Sequence, residues 1–486
     1  MLLRTKIVQN LSANTLQLVS NQLLGLGIFY TLSATLNKNN FGQLNLALAI
    51  LLAVFNILTL GMDQLIIKRV AGGASARQML SLYLFHVLIA GGIFYGLLLV
   101  GWLIIPANNI YNLILLIGIG KLLIFFSTPF KQIVSGMERF KLLARMLVIS
   151  NFIRCICLVV LVLLHAVTLP YIISIFIAGD GIELLAGIYL FKKNTDVPLT
   201  FKWDKGAYAQ LLHEAIPQSG VVIIAAALAR LDWIFVGFLL STVKLAEYSF
   251  AYKVFEMATL PLLAIAPLLI PYFTRLFKQD NFDVGRLKFL LKMELVIAGF
   301  TVLLLNIYWA PAIDTLTAGK YGAVNSVTIF ILSLCIPLMY LQNFLWTLFF
   351  AQGKLKMILR SFILTLLINI AADIILIPLY KNEGAAAGFL LSCLAQNLFF
   401  LKKNNIAGLN NSLQQLIVCL GCALAAVFAV RGGYLNAWLI FPCCISIYFI
   451  LLIITRQLSF ADKTQLGAIL HPIKSFHGGN SLPQNS

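Results

Sequence analysis

Arg230 and Asp232 stand two residues apart inside an apolar stretch, residues 214–240, EAIPQSGVVIIAAALARLDWIFVGFLL. That stretch is long enough to cross a bilayer, for which about 20 apolar residues suffice. A charge at its centre costs at least about 2.5–3.5 kcal/mol on insertion scales, so it faces protein or water rather than lipid. Such a group binds an ion or a charged ligand, or locks helices together by pairing. Residues two apart point to different faces of a helix, so Arg230 and Asp232 do not simply neutralise each other. Other apolar stretches carry Lys121, Arg154 and Lys253, and the acids Asp180, Glu183, Glu256 and Asp373, with Glu294 nearer an end. Lys253 and Glu256 are three apart and are predicted to pair within one helix. Arginine suits bidentate phosphate binding and lysine a point contact with it. The carboxyls Asp180, Glu183, Asp232 and Asp373 are the groups able to exchange protons or hold Na⁺. Cations and acids are close to balance, so some of them pair.

A second polar set lies near the start. Asn10, Asn14, Gln17 and Asn21 recur at helical spacing, and Gly25 continues the stripe. Unsatisfied polar atoms are costly in hydrocarbon, so the stripe either lines a water-filled cavity or bonds to neighbouring helices. Asn14, Gln17 and Asn21 are the deepest cavity candidates. Farther on, Pro261, Pro267 and Pro271 predict bends in one span.

Arrangements for covalent chemistry are missing. The five histidines (His86, His165, His213, His471, His477) form no HExxH, and the chain has neither GxxxxGK[ST] nor GxGxxG. No enzyme, cofactor or metal centre is expected, and energy does not come from nucleotide hydrolysis in this chain. The eight cysteines all fall in apolar runs; Cys419 and Cys422 have CxxC spacing without a second pair, so they read as small apolar filler.

The positioning elements follow from composition. Of 486 residues, 61% are hydrophobic and 11% charged, against about 25% charged in soluble proteins. Mean hydropathy is +0.95. Apolar runs of helical length, rather than short alternating segments, predict an all-α polytopic membrane protein and not a barrel. Fourteen spans are expected: 12–33, 41–62, 79–105, 111–130, 142–165, 170–191, 214–240, 247–271, 289–312, 326–350, 358–380, 384–401, 412–430 and 435–455. The net charge of +18 is a topology signal. With the N-terminus in the cytoplasm, most of the 35 Lys and Arg fall in cytoplasmic loops, and the opposite loops hold only Lys38, Lys244, Lys320, Lys381 and Arg431. Both termini are then cytoplasmic, and nucleic acid is not needed as a partner.

The halves resemble each other. FGQLNLALAI (41–50) aligns with LAEYSFAYKV (245–254), placing Gly42, Gln43 and Ala47 opposite Ala246, Glu247 and Ala251. SGMERFKLLAR (135–145) likewise resembles AQGKLKMILR (351–360). Six spans per half give a parallel repeat about an axis along the membrane normal. The expected organisation is an N-lobe of six helices (1–193), a cytoplasmic loop (194–213), a C-lobe of six helices (214–403), two further helices (404–457) and a cytoplasmic tail without structure (458–486).

LTLGMDQLIIKRV (58–70), EAIPQSG (214–220), ARLDWIFVG (229–237), AEYSFAYKVFEM (246–257), FAQGKLKMILR (350–360) and IPLYKNEGAAAG (377–388) resemble the polysaccharide-exporter branch of the multidrug/oligosaccharidyl-lipid/polysaccharide (MOP) flippase superfamily, in particular Wzx-type repeat-unit flippases. The resemblance covers residues 5–403. It implies two six-helix lobes in pseudo-two-fold symmetry around a central cavity. It also implies the flipping of a polyprenyl-pyrophosphate-linked oligosaccharide, such as an O-antigen or capsule repeat unit, to the outer leaflet of a bacterial or archaeal cytoplasmic membrane. Alternating access driven by H⁺ or Na⁺, and glycan-assembly proteins as partners, come with it. Cavity cations would hold the pyrophosphate; Arg230 and Arg154 are first candidates, with Lys253 and Lys121 behind them. The two extra spans depart from many repeat-unit flippases and match peptidoglycan-precursor flippases. Those place arginines inside the first two helices, whereas Arg4 here is only at the membrane edge. A multidrug exporter of the superfamily is the alternative, although the acids common in the first helix of such exporters are missing here. A glycan polymerase would need a large outer loop, which the chain lacks, and a non-transporting scaffold would not need the buried charges.

Overall fold

The computed structural model describes residues 20–104, 109–199, 201–262, 284–404, 411–431 and 437–459, with isolated positions 269, 273, 277, 406 and 409. Regular structure among them is entirely helical. The helices are α1 (20–35), α2 (Lys38–Leu58), α3 (Met62–Ala71), α4 (Ala76–Ile104), α5 (Asn109–Gly136), α6 (Phe140–Leu163), α7 (Leu169–Asn194), α8 (Lys205–Leu239), α9 (Thr242–Ala258), α10 (Val284–Ile307), α11 (Trp309–Thr317), α12 (Ser326–Ala351), α13 (Leu355–Lys402), α14 (Ser412–Arg431) and α15 (Ala437–Ile454). Ten helices among the described residues are long and apolar enough to cross a membrane. Each of the fourteen expected spans falls wholly or partly on a helix. The eleventh and twelfth are the two limbs of α13, which breaks at Lys381 (φ 54°, ψ −129°). The eighth is described only as far as the end of α9 and a short piece after it. α9 stops at Ala258, three residues before Pro261, whose ring cannot tolerate a helical carbonyl four residues back. Pro267 and Pro271 lie outside the described residues, as does the tail from 460.

The chain divides into two compact units. The first comprises Met1–Met257, Ala310–Ile329 and Leu359–Ser392; the second comprises Ala258–Trp309, Phe330–Ile358 and Cys393–Ser486. In the first, α5 packs on α7, α4 and α2, α6 packs on α7, and α2 packs on α8. Fully buried Phe41, Leu46, Leu51, Met62, Ile117 and Val236 form part of its core. In the second, α10 packs on α14 and α15, and Tyr448 of α15 donates to the carbonyl of Val296 at 2.7 Å.

Two details of local structure bear on the internal repeat. Asn45 of α2 donates to Ser249 of α9 at 3.0 Å. These residues are 204 apart, the offset that aligns Gly42 with Ala246 in the expected repeat. The turns before α6 and α13 also match: Glu138 (φ 58°) and Gly353 (φ 72°) both adopt the left-handed conformation. Arg139 and Lys354 then cap the following helices with nearly the same dihedral angles.

Gly42 permits the α2–α9 approach. A Cβ there would lie 1.7 Å from the carbonyl oxygen of Thr242. That atom belongs to backbone and cannot swing aside, so only separation of the helices relieves the clash. Gly42→Ala is expected to destabilise the protein by about 3 kcal/mol, the upper end for overpacked cores, read as a lower melting temperature of the detergent-purified protein.

Candidate functional site

Charged and polar side chains of the first unit gather in separate clusters. One lies among α5, α6 and α7. Asp180, fully buried, pairs with Arg154 and, at 3.5 Å, with Lys121. One turn along α7, Glu183 pairs with Lys131. Asp180 and Glu183 are three residues apart and present both carboxylates to the same side of α7. Gly120 and Gly179 make the room: a Cβ at Gly120 would sit 2.5 Å from an Asp180 oxygen, and one at Gly179 2.8 Å from Arg154 Cγ. Arg154 also donates to Asn151 Oδ1 at 3.2 Å and lies over the ring of Phe176 at 5.1 Å. Asn151 in turn donates to Asn21 of α1 at 3.4 Å. Asn21 is thus linked to the ion pairs by one asparagine; Asn14 and Gln17 lie outside the described residues.

A second cluster joins α8 and α9. Asp232, buried, accepts from the Tyr248 hydroxyl at 2.5 Å and from the Trp233 amide at 2.9 Å. Asp373 of α13 is fully buried, and neither of its oxygens has a hydrogen-bond partner among the described residues. It lies close enough to Asp232 for like-charge repulsion to act. A Cβ at Gly388 would fall 2.6 Å from an Asp373 oxygen, so the second limb of α13 is glycine where it crosses this acid.

The third cluster is the more open one. Arg230 reaches Glu256 at 3.6 Å, and Lys253 reaches the same carboxylate at 2.8 Å. The Arg230 guanidinium lies over Trp233 at 4.6 Å and Tyr252 at 5.8 Å. Lys253 lines a cavity of about 380 Å³ bounded by Leu26 and Tyr30 of α1, Phe250 and Met257 of α9, and Ile313 of α11. Arg230 and Asp232 therefore serve different neighbours, as their spacing requires, and Lys253 pairs with Glu256 as predicted.

The ends of the helices differ. Where basic residues are few, three of them are bonded: Lys38 and Lys244 both reach Glu247 at 2.7 Å, and Lys320 donates to the carbonyls of Ala34 and Leu36 at 2.6 and 3.2 Å. The Phe250 and Tyr321 rings stack beside them at 4.4 Å. At the other end α3 is fastened to α8 by Arg69–Glu214 at 2.6 Å and by Ser219 donating to Leu60 O at 2.7 Å. The Arg69 guanidinium holds the exposed Glu214 carboxyl below its ordinary range. Leu60 (φ 49°) and Gly61 (φ 71°) form the left-handed break that turns α3 away from α2.

The family described as "Polysaccharide biosynthesis protein" matches residues 7–277, more than half of the chain. The chain belongs to this family. No curated protein matches it in sequence. Three solved structures resemble it in fold, each at 14% identity. They are "Lipid II flippase MurJ, inward closed conformation" (TM-score 0.73, 91% of this chain, 98% of that one), an inward-facing multidrug resistance MATE family transporter of the MOP superfamily (0.64, 81%, 95%) and a MOP superfamily transporter from Pyrococcus furiosus (0.57, 84%, 96%). At that identity the likeness is one of fold. This polysaccharide biosynthesis family member is a multi-pass membrane protein with the MOP transporter fold.

Lys131 falls one residue past the expected span 111–130. In this family member it lies inside α5, buried against Glu183. The available signal was the pair Asp180 and Glu183 three residues apart, of which Asp180 takes both Arg154 and Lys121. Tyr248 and Trp233, the partners of Asp232 and Arg230, carried no such signal. Polar aromatics occur throughout the chain, and only the α8–α9 packing selects these two.

Proposed function

We propose that this protein carries a polyprenyl-pyrophosphate-linked oligosaccharide, a repeat unit of O-antigen or of another polysaccharide, from the cytoplasmic to the outer leaflet by alternating access coupled to an ion gradient. It performs no bond chemistry on its cargo. The physical task is to pass a charged, sugar-bearing head group across about 30 Å of hydrocarbon while the lipid tail stays in the bilayer. The observation that carries this reading is the Arg230–Glu256–Lys253 group. Among the described residues, two cations share this one carboxylate beside a cavity. Arg230 supplies the planar fork suited to a phosphate and Lys253 the point charge. Arg154 and Lys121 share Asp180 and serve as structural cations. Of the acids, Asp180 and Glu183 are engaged by cations, so Asp232 and Asp373 are the coupling carboxyls in this reading.

Deletion of the gene in its native host, followed by leaflet-resolved analysis of lipid-linked oligosaccharides, tests the proposal. The expected result is accumulation on the cytoplasmic leaflet and loss of surface glycan. Unchanged surface glycan with altered drug tolerance would instead support a multidrug exporter.

A further inference from the structure

The segment between α7 and α8 is pinned to α4. Residues 195–199 and 201–204 form no helix or strand. The Ser81 hydroxyl accepts from the Lys202 amide at 2.7 Å and donates to the Lys202 carbonyl at 2.9 Å. The Trp203 ring packs on Phe85 of α4 with centroids 3.7 Å apart and on Tyr208 of α8 at 5.0 Å, and Phe201 approaches Phe85 at 6.0 Å. The Tyr208 hydroxyl donates to Nδ1 of the buried His86 at 3.0 Å, because the other ring nitrogen donates to the Leu58 carbonyl at 2.9 Å. These contacts hold the rings of the segment without covering them. Phe201 is 60% exposed and Trp203 44%, and Leu199 is exposed beside them.

Position and charge identify what covers these rings. Leu88 and Ile89, three and four residues beyond Phe85 and so on its face of α4, are exposed, as is Ile93 one turn farther. That face is bare and apolar, so it faces lipid, and the pinned segment continues it toward the end of the helix. A stretch without helical or sheet bonds cannot lie in hydrocarbon, where backbone groups must be satisfied internally. Exposed aromatic rings favour the headgroup boundary over water. From 192 to 205 the chain carries Lys192, Lys193, Lys202 and Lys205 against Asp196 and Asp204, and Asp204 is spent on capping α8 through the Ala207 amide at 2.9 Å. Excess lysine at that depth complements anionic headgroups. We propose that residues 199–205 are an interfacial anchor for anionic phospholipid, with Phe201 and Trp203 in the headgroup boundary and Lys202 and Lys205 among the phosphates. The anchor rests on the chain spanning a bilayer and on no particular cargo.

Tryptophan fluorescence of the full-length protein in lipid nanodiscs tests this. Trp203 is one of six tryptophans, so its signal is the difference between the wild type and Trp203→Phe. Phosphatidylcholine brominated near the headgroup end of its acyl chains is expected to quench that signal more than lipid brominated near the chain ends, and aqueous iodide to quench it little. A signal that iodide quenches and bromolipids do not, or that the deep bromines quench more strongly, overturns the proposal. If Trp203→Phe does not fold, Phe201→Trp is read against the wild type, with the same outcomes. The charge preference is read by comparing brominated phosphatidylglycerol with brominated phosphatidylcholine at equal mole fraction. Quenching is expected to be about twofold or more stronger with the anionic lipid, and the ratio to fall toward one in Lys202→Gln with Lys205→Gln. A wild-type ratio of one, or a ratio that the double variant leaves unmoved, overturns the anionic preference.

Discussion

Replacing Asp180 by alanine is expected to destabilise the protein by about 3–5 kcal/mol, the cost of leaving a buried partner charge uncompensated. Asp180 has no exposure and is the carboxylate that both Arg154 and Lys121 reach. The space made by Gly120 and Gly179 is shaped to these side chains, so no neighbour closes over the gap. Urea or thermal unfolding of the detergent-purified protein measures the loss, and size-exclusion chromatography shows whether the folded form survives. Arg154→Leu combined with Asp180→Leu is expected to recover much of the stability. Well-packed apolar replacements of a buried ion pair are often neutral or better. Lys121 then remains without its carboxylate, with a side chain that is 20% exposed. If the double variant also transports, the pair is structural. An Asp180→Ala protein that melts like the wild type would refute this account of the cluster.

Arg230→Ala is expected to lower transport by about tenfold to more than a hundredfold, since charge-assisted hydrogen bonds contribute about 1.5–3 kcal/mol and 1.4 kcal/mol is a factor of ten. Its effect on stability is expected to stay within about 1 kcal/mol, the value of a partly exposed stacking contact such as that with Trp233. Arg230→Lys keeps the charge but not the planar fork, and partial rescue is expected. Lys253→Ala should act in the same direction, and the two substitutions together should nearly abolish transport. The measurement is the outward appearance of lipid-linked oligosaccharide in vesicles, with protein amount equalised. Full activity in the double variant would remove this cluster from the substrate path.

The contrast between these two substitutions was not available from the chain alone. Arg154 and Arg230 look alike in sequence, each an arginine deep within an apolar span. Lys121 and Lys253 look alike too. What separates them is the neighbours that packing brings. Asp180 comes from α7, and the α5–α6–α7 contact seals it around Arg154. Glu256, by contrast, already has Lys253 on its own helix and can only half compensate Arg230. Pairing within one helix is visible as a spacing of three, so Lys253–Glu256 was legible. Pairing between helices depends on helix rotation and depth, which apolar sequence of nearly uniform composition does not encode locally.

Alone, the sequence determined that this is an all-helical membrane protein, where its spans lie, and that charges sit inside it. Each of these follows from a local property: run length, periodicity, or the cost of a charge in hydrocarbon. The tertiary structure alone decided which charges are spent on each other and which face a cavity. It also decided that Asn45 meets Ser249, and that, among the described residues, Asp373 is left without a hydrogen-bond partner. Those outcomes rest on distances of a few ångströms between residues up to about two hundred positions apart. Coulomb energy falls with distance and is set by the surroundings, so only the packed helices fix its sign and size.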